Sequence, residues 1–414
     1  MRKLASPYVA SALAGSAGAL LAYAALTVLA ACGSATSADS TPTMLSDGGA
    51  TFDAGPTSDA GRSSDAAGVA TPNALVEANA LVLVHAAAFP AFRMCFEGAS
   101  NDLPQPSVDL MPDSNVVGVD VGTAVRLAAR PEMLGRAFVF PEAVLRPLYP
   151  AFGGSGPSCA QLLGNAAIAT HAVDVGTVTA DVSSGVHALV LSGCRQASID
   201  PIASTARCGA DWTATAGNLT LRTLSLMAYA RAGATSLPVQ LVQLSPALQG
   251  VAEGRALGLA FGPLDGGAPA ATGGPTPFVE GAVPFGEAVP DPPAVLDYSA
   301  TDLASYATSG MFVTLGGPVD DAGMPLNGDA GTREIVIAQS LAEIQKRSSS
   351  RSLPPDWFSV ASSYVVLSVG DTDPRLGDGG RDDDPRRALH LLAVPLATPD
   401  AGASNMPSPN DAGP

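Results

Sequence analysis

Side chains able to act as nucleophiles, proton carriers or metal ligands are sparse in this chain of 414 residues, which has five Cys and four His. The histidines are His85, His171, His187 and His390. His171, Asp174, Asp181 and His187 have the residue types of a divalent-metal site if two strands bring them together. His187, Leu189 and Leu191 also alternate as one ordinary strand face would. A second oxygen-rich segment runs from Asp371 and Asp373 through Asp378 to Asp382-Asp383-Asp384. Calcium is bound by several carboxylates around a Gly turn, but Pro374 and Arg375 break the EF-hand spacing, which leaves Asp371, Asp373 and Asp378 as weak candidates. The chain has no G-x-S-x-G elbow, H-E-x-x-H helix, P-loop or dinucleotide fingerprint. Gly153-Gly154-Ser155-Gly156 lacks the last glycine of an elbow and runs into Pro157, so it reads as a loop. No catalytic residue and no cofactor is expected from these patterns.

Composition narrows the partners. The formal net charge of −17 argues against nucleic acid, which requires a basic face. Hydrophobic residues make up 47% of the chain, enough for a packed core, and many of them are Ala. Collagen-like sequence is excluded because the 44 Gly and 35 Pro follow no three-residue period.

The N-terminus reads as an address. Arg2 and Lys3 precede an apolar run from about Val9 to Ala31, without an acidic residue, and residues 1–31 are predicted to be an export signal. The run ends in Leu29-Ala30-Ala31-Cys32, which resembles the lipobox of bacterial lipoproteins. The resemblance implies that the Cys32 thiol forms a thioether to a diacylglyceryl group, with cleavage just before it and often acylation of the new amine, so that palmitate-like chains hold the protein to a membrane. Two or more chains anchor far more firmly than one, since each buried CH₂ contributes about 0.8 kcal/mol. Gly33 and Ser34 bring no acidic residue next to the lipid Cys, so the resemblance implies the bacterial outer membrane, with the periplasmic or surface-facing side open. An acidic mature body is repelled by anionic headgroups, so the anchor would be its membrane contact.

With Cys32 lipidated, Cys95, Cys159, Cys194 and Cys208 remain in an oxidising compartment, and an even number favours disulfides. Three pairings are possible. Cys95–Cys159 with Cys194–Cys208 is preferred, because the latter closes a short Gly-containing excursion between two strands. Wide spacings and the absence of C-x-x-C weigh against zinc.

Residues 32–73 hold the lipidated Cys and a Ser/Thr/Asp/Gly/Ala/Pro tether, and 398–414 repeat that composition; both are predicted to be disordered. Between them lie short apolar runs separated by Gly, Pro, Asn, Asp and Ser: Leu81–Val84, Val190-Leu191, Leu219–Leu226, Val239–Leu244, Met311–Leu315, Ile335–Ile337, Tyr364–Val369 and Leu389–Val394. Several are continuous and not alternating, as strands buried on both faces would be. Helices are expected around Ser158–Leu163, around Ala252–Leu259, and along Ile337-Leu341-Ile344. The predicted fold is all-β, two tandem β-sandwich-like domains with a few short helices after the tether.

The domains are placed at 74–232 and 236–397 from an internal duplication. Leu81-Val82-Leu83-Val84-His85 corresponds to Val239-Gln240-Leu241-Val242-Gln243, and the stretch from His187 to Gly193 corresponds to that from Tyr364 to Gly370. Gln243 therefore stands where His85 stands, which argues against His85 as an indispensable proton carrier. The Val84-His85-Ala86 opening with Pro90 soon after resembles tandem bacterial envelope domains of unknown function, a family that implies immunoglobulin-like sandwiches without assigned activity.

The function expected is that of a lipid-anchored cell-envelope module, non-catalytic, binding or scaffolding an envelope or extracellular ligand. The alternatives are an exported hydrolase with an unrecognised site and a calcium-dependent surface adhesin. Cys32→Ser should abolish incorporation of labelled palmitate and leave uncut precursor; labelling that survives the substitution would refute lipidation.

Overall fold

The computed structural model describes residues between 75 and 396 apart from short internal stretches, the longest being 107–117, 321–332, 349–362 and 372–386. Cys32, the tether, the tail and the segment from Asp373 to Asp384 lie outside the described residues.

The described residues belong to one compact unit and are mostly strand. The first half contains β1 (Leu75–Val76), β2 (Ala80–Ala88), β3 (Phe92–Phe96), β4 (Ala124–Arg126), β5 (Arg136–Pro141), β6 (Val173–Thr177), β7 (Val186–Cys194), β8 (Thr220–Leu226) and β9 (Ala228–Tyr229). The second contains β10 (Ser236–Gln243), β11 (Arg255–Asp265), β12 (Ala268–Pro269), β13 (Thr276–Gly281), β14 (Ala288–Asp297), β15 (Ser309–Pro318), β16 (Glu334–Ser340), β17 (Ser363–Val369) and β18 (His390–Leu396). Among the described residues six short α-helices join them, α1 (Glu142–Leu145), α2 (Cys159–Gly164), α3 (Ala166–Ala169), α4 (Thr205–Cys208), α5 (Pro246–Ala252) and α6 (Leu341–Ser348), with a 3-10 helix over Arg146–Phe152. Among the described residues no helix is long and apolar enough to cross a membrane.

The two halves repeat one topology. Their larger sheets run β4-β2-β7-β8 and β14-β10-β17-β18, each with a parallel inner pair flanked by antiparallel edges. The outer sheets, β3-β5-β6 and β11-β15-β16, are antiparallel, with β12 and β13 added to β11 in the second half. Register extends the match to single residues. Gly122 N donates to His85 O at 3.0 Å, and Gly286 N donates to Gln243 O at 2.9 Å. Gly193 and Gly370 both take positive φ, 86° and 108°, and a Cβ on either would lie within 2.5 Å of the Asn218 or Ala388 carbonyl oxygen. Each of those carbonyls belongs to the residue two before the edge strand, so Thr220 of β8 matches His390 of β18.

Alternation distributes the side chains between three layers of core. Leu81, Leu83, Leu189 and Leu191 face the outer sheet of the first half, meeting Phe92, Met94 and Val139. Val239, Leu241, Val366 and Leu391 do the same in the second half, against Leu259, Met311 and Val313. The alternate residues, Val82, Val84, Ala188 and Val190 with Val242, Val365, Leu367 and Leu392, form a third core between the two halves. Both faces of each central sheet are thus buried, which is why its strands read as unbroken apolar runs.

Two helices differ from expectation. Ala252–Leu259 is the end of α5 and the start of β11; a short apolar run suits a helix or a buried strand equally, and pairing with β13 and β15 on both sides decides for strand. Ile337 belongs to β16, and only Leu341 and Ile344 lie on α6. Ser158 caps α2 in a capping box with Gln161.

The shared core makes a prediction. Leu367→Ala, in a fully buried position between the halves, should cost about 2–5 kcal/mol and lower one cooperative unfolding transition. Two separate transitions in calorimetry, with only one displaced, would show that the halves fold independently.

Candidate functional site

Two histidines, His85 and His390, are buried against backbone carbonyls. His85 is fully buried, its Nδ1 3.1 Å from Val119 O and its ring edge-on to Phe92 at 4.9 Å. Burial pushes its pKa down to about 4, against weaker opposing contributions from Val119 and Asp120. His390 lies between the halves, with Nδ1 2.6 Å from Ala388 O and Nε2 2.8 Å from Gly122 O. A neutral ring can donate to only one of these carbonyls. Burial also lowers the His390 pKa, with carbonyl contacts opposing it.

The residues proposed for a metal do not converge. Asp174 accepts from Arg136 Nε at 2.8 Å and from Gly176 N at 3.0 Å, and Asp181 accepts from Ser183 N at 2.9 Å. His171 and His187 join neither, and no group of three or more metal-ligating side chains occurs among the described residues. Asp371 is buried and bonded to Arg387, with Nε donating to Oδ1 at 2.9 Å and a second contact from Nη2 to Oδ2. Asp373 and Asp378 lie outside the described residues.

Cys95 is bonded to Cys159 and Cys194 to Cys208. The second bond closes the neck of the 194–218 excursion, helped by Asn218, whose Oδ1 accepts from Cys194 N at 2.9 Å and whose Nδ2 donates to Cys208 O at 2.7 Å. Asp371 occupies the matching place in the second half, so an ion pair closes there what a disulfide closes in the first.

One side-chain pair has catalytic residue types. His187 and Ser225 are directly opposite on β7 and β8, so they share a face, and Ser225 Oγ lies 3.3 Å from His187 Nδ1. His187 Nε2 is 2.7 Å from Ser184 O. A backbone carbonyl orients the ring as the acid of a triad does, but it supplies no full negative charge to stabilise an imidazolium.

A concave surface lies along the seam between the halves. A cleft of about 580 Å³ opens between α4 and α5, lined by Thr205, Gln243, Pro246, Gln249, Arg255 and Phe285. Gln243, which lines it, is buried; its Nε2 donates to Ser245 O at 2.6 Å, and its Oε1 has no partner among the described residues. The cleft continues into a recess of about 280 Å³ beside Arg222, whose guanidinium sits 5.2 Å above the Phe285 ring. A third recess, of about 300 Å³, follows β8 past Thr223 and Ser225 to Glu287 and Asp291 of the second half. Amides, hydroxyls, the two arginines Arg222 and Arg255, and the carboxylates of Asp211, Glu287 and Asp291 line this groove. These residues were not legible in the sequence as a site, since they are far apart in the chain and carry no motif.

Compared with family models, with curated proteins and with solved structures, the chain matches none.

The lowered pKa of His85 has a measurable consequence. Its native value of about 4 lies below the unfolded value of 6.5, so the neutral ring's contribution is complete above pH 6.5 and is lost as pH falls toward 4. The loss amounts to about 3 kcal/mol. His85→Gln, the residue the second half carries, should flatten the stability profile in this window, with residual slope from His390. An unchanged profile would refute the assignment.

Proposed function

We propose that this chain is a lipid-anchored binding module of a bacterial cell envelope, non-catalytic, which holds a rigid double β-sandwich at the outer membrane and takes its ligand along the seam between the halves. The open groove from α4 and α5 to β8 and β14 carries this reading. Fusion through a common core supports it, because a wall built from two locked halves presents pre-organised surface and loses little entropy on binding. The Leu29-Ala30-Ala31-Cys32 pattern supports the anchor.

A second reading, an exported hydrolase, is favoured by the Ser225–His187 contact alone. Against it stands the missing carboxylate: the Ser184 carbonyl keeps the proton on Nε2 and leaves Nδ1 free to accept from Ser225, but it supplies no charge to stabilise an imidazolium. The calcium-dependent adhesin loses Asp371 to its pairing with Arg387.

The experiment is a turnover screen of the full chain against ester, glycoside and peptide substrates, beside a Ser225→Ala variant. The binding reading expects no turnover from either protein. Hydrolysis by the parent that Ser225→Ala abolishes would replace it with the hydrolase.

A further inference from the structure

The duplication makes the two edge strands β8 and β18 directly comparable, and they are treated differently. The outward backbone groups of β18 are covered by side chains. Gln339 Oε1 accepts from Leu391 N at 2.6 Å and Gln339 Nε2 donates to Leu391 O at 3.2 Å, so this amide imitates a neighbouring strand. Ser348 Oγ accepts from Ala393 N at 2.8 Å, and the next outward position is Pro395, which has no N–H. With Thr220 matching His390, the corresponding positions on β8 are Leu221, Thr223 and Ser225. No described residue pairs with their outer backbone groups, β8 is the end strand of its sheet, and no Pro blunts it. The first half has no helix after β6 where the second half has α6.

We infer that the bare edge of β8 is a strand-addition site for an extended, basic peptide segment of a partner protein. An added strand would pair with Leu221, Thr223 and Ser225 and would send alternate side chains into the recess of about 300 Å³ beside it. That recess is flanked by Glu287, which is exposed, and by Asp291, which accepts from Tyr229 Oη at 2.9 Å. The only arginine at this strand, Arg222, is turned onto Phe285. Lys or Arg side chains fit the carboxylates, and the net charge of −17 draws a basic segment toward the body. The chain's own termini do not suit. Residues 398–414 contain Asp400 and Asp411 and no Lys or Arg, and residues 33–73 carry five Asp against the single Arg62. The neighbouring edge strand β14 is blunted by Pro290, Pro292 and Pro293, so the added strand has one edge to use.

This inference rests on the binding-module reading and specifies its partner. The test titrates the full chain, in non-ionic detergent, with a labelled peptide of alternating Lys and Val as long as β8, which has 7 residues. The peptide should bind. Methylating the backbone nitrogens of its strand-facing residues should weaken binding about tenfold or more, since hydrogen bonds are lost without change of charge. An Asp/Val peptide should bind at least about tenfold more weakly, and Glu287→Gln should shrink the preference for Lys. Thr223→Pro, which removes one outward N–H, should reproduce the effect of methylation; the methylated peptide keeps the test valid if that variant misfolds. Equal affinity for methylated and unmethylated peptide, no binding, or a dimer that Thr223→Pro converts to monomer would overturn the inference. Cleavage of bound peptide would instead count against the non-catalytic reading.

Discussion

Each central sheet of this protein has two apolar faces, and a sheet so built must be covered twice. One cover is the outer sheet of its own half. The other is the central sheet of the opposite half, which has the same need. The choice of side chains fits this division. Toward its outer sheet the first half presents Leu81, Leu83, Leu189 and Leu191 to bulky partners such as Phe92 and Met94. Toward the second half it presents Ala80, Val82, Val84, Ala86, Ala188 and Val190. Small and β-branched residues keep that face flat and let two sheets approach to the usual spacing of about 10 Å. Exposed, the same face would be a large contiguous apolar patch of the kind that drives association. The halves therefore satisfy each other, and a single half would leave this face uncovered.

A repeated topology fixes shape but leaves the local chemistry of the two halves free to differ. The neck after β7 is closed by Cys194–Cys208 and Asn218, and the neck after β17 by Asp371 and Arg387. These solutions differ in their sensitivities. A disulfide depends on the redox poise of its compartment, whereas a buried ion pair depends on both partners, because removing either leaves an uncompensated charge. A similar buried pair, Arg93 with Glu142 at 2.6 Å, ties β3 to α1 and is completed by Tyr149 Oη at 3.2 Å from Glu142. Charge is thus spent sparingly inside the body and mostly at junctions between elements.

The all-β class was legible because continuous apolar runs between Gly and Pro have few other uses. The matching of Leu81–His85 to Val239–Gln243, and of the His187–Gly193 stretch to Tyr364–Gly370, fell on the four strands that structure the central sheets, but their parallel pairing was not read from the sequence. Ala252–Leu259 and Ile337 were misread as helix because apolar runs this short contain no full period, and only the partners on each side decide them. The seam could not be read at all. Val82 and Leu83 are equally apolar, and nothing local says that one faces a sheet of its own half and the other the opposite half. Arg222, Phe285 and Glu287 are ordinary surface residues until β8 and β14 lie side by side. The difference between Pro395 and Ser225 was on view, but it acquires meaning only after Gly193 is matched to Gly370 and the two edge strands are set in register.

That difference bears on how such a protein comes to bind anything. An edge strand exposes a row of unpaired N–H and C=O groups, which invites pairing with other chains, so natural sheets usually cover or blunt it. Covering β18 takes an amide able to donate and accept at once, a hydroxyl one helix away, and a proline, all converging on alternate residues of seven. Among the described residues the first half keeps the edge and lacks the cover, while the second half lines the adjoining groove with Gln240, Glu287 and Asp291. Hydroxyl-bearing Thr220, Thr223 and Ser225 keep the uncovered strand compatible with water. An unpaired edge in a polar, acid-flanked groove is poorly suited to pairing with a second copy of itself, because like carboxylates would be brought together. It is well suited to a strand that brings the opposite charge.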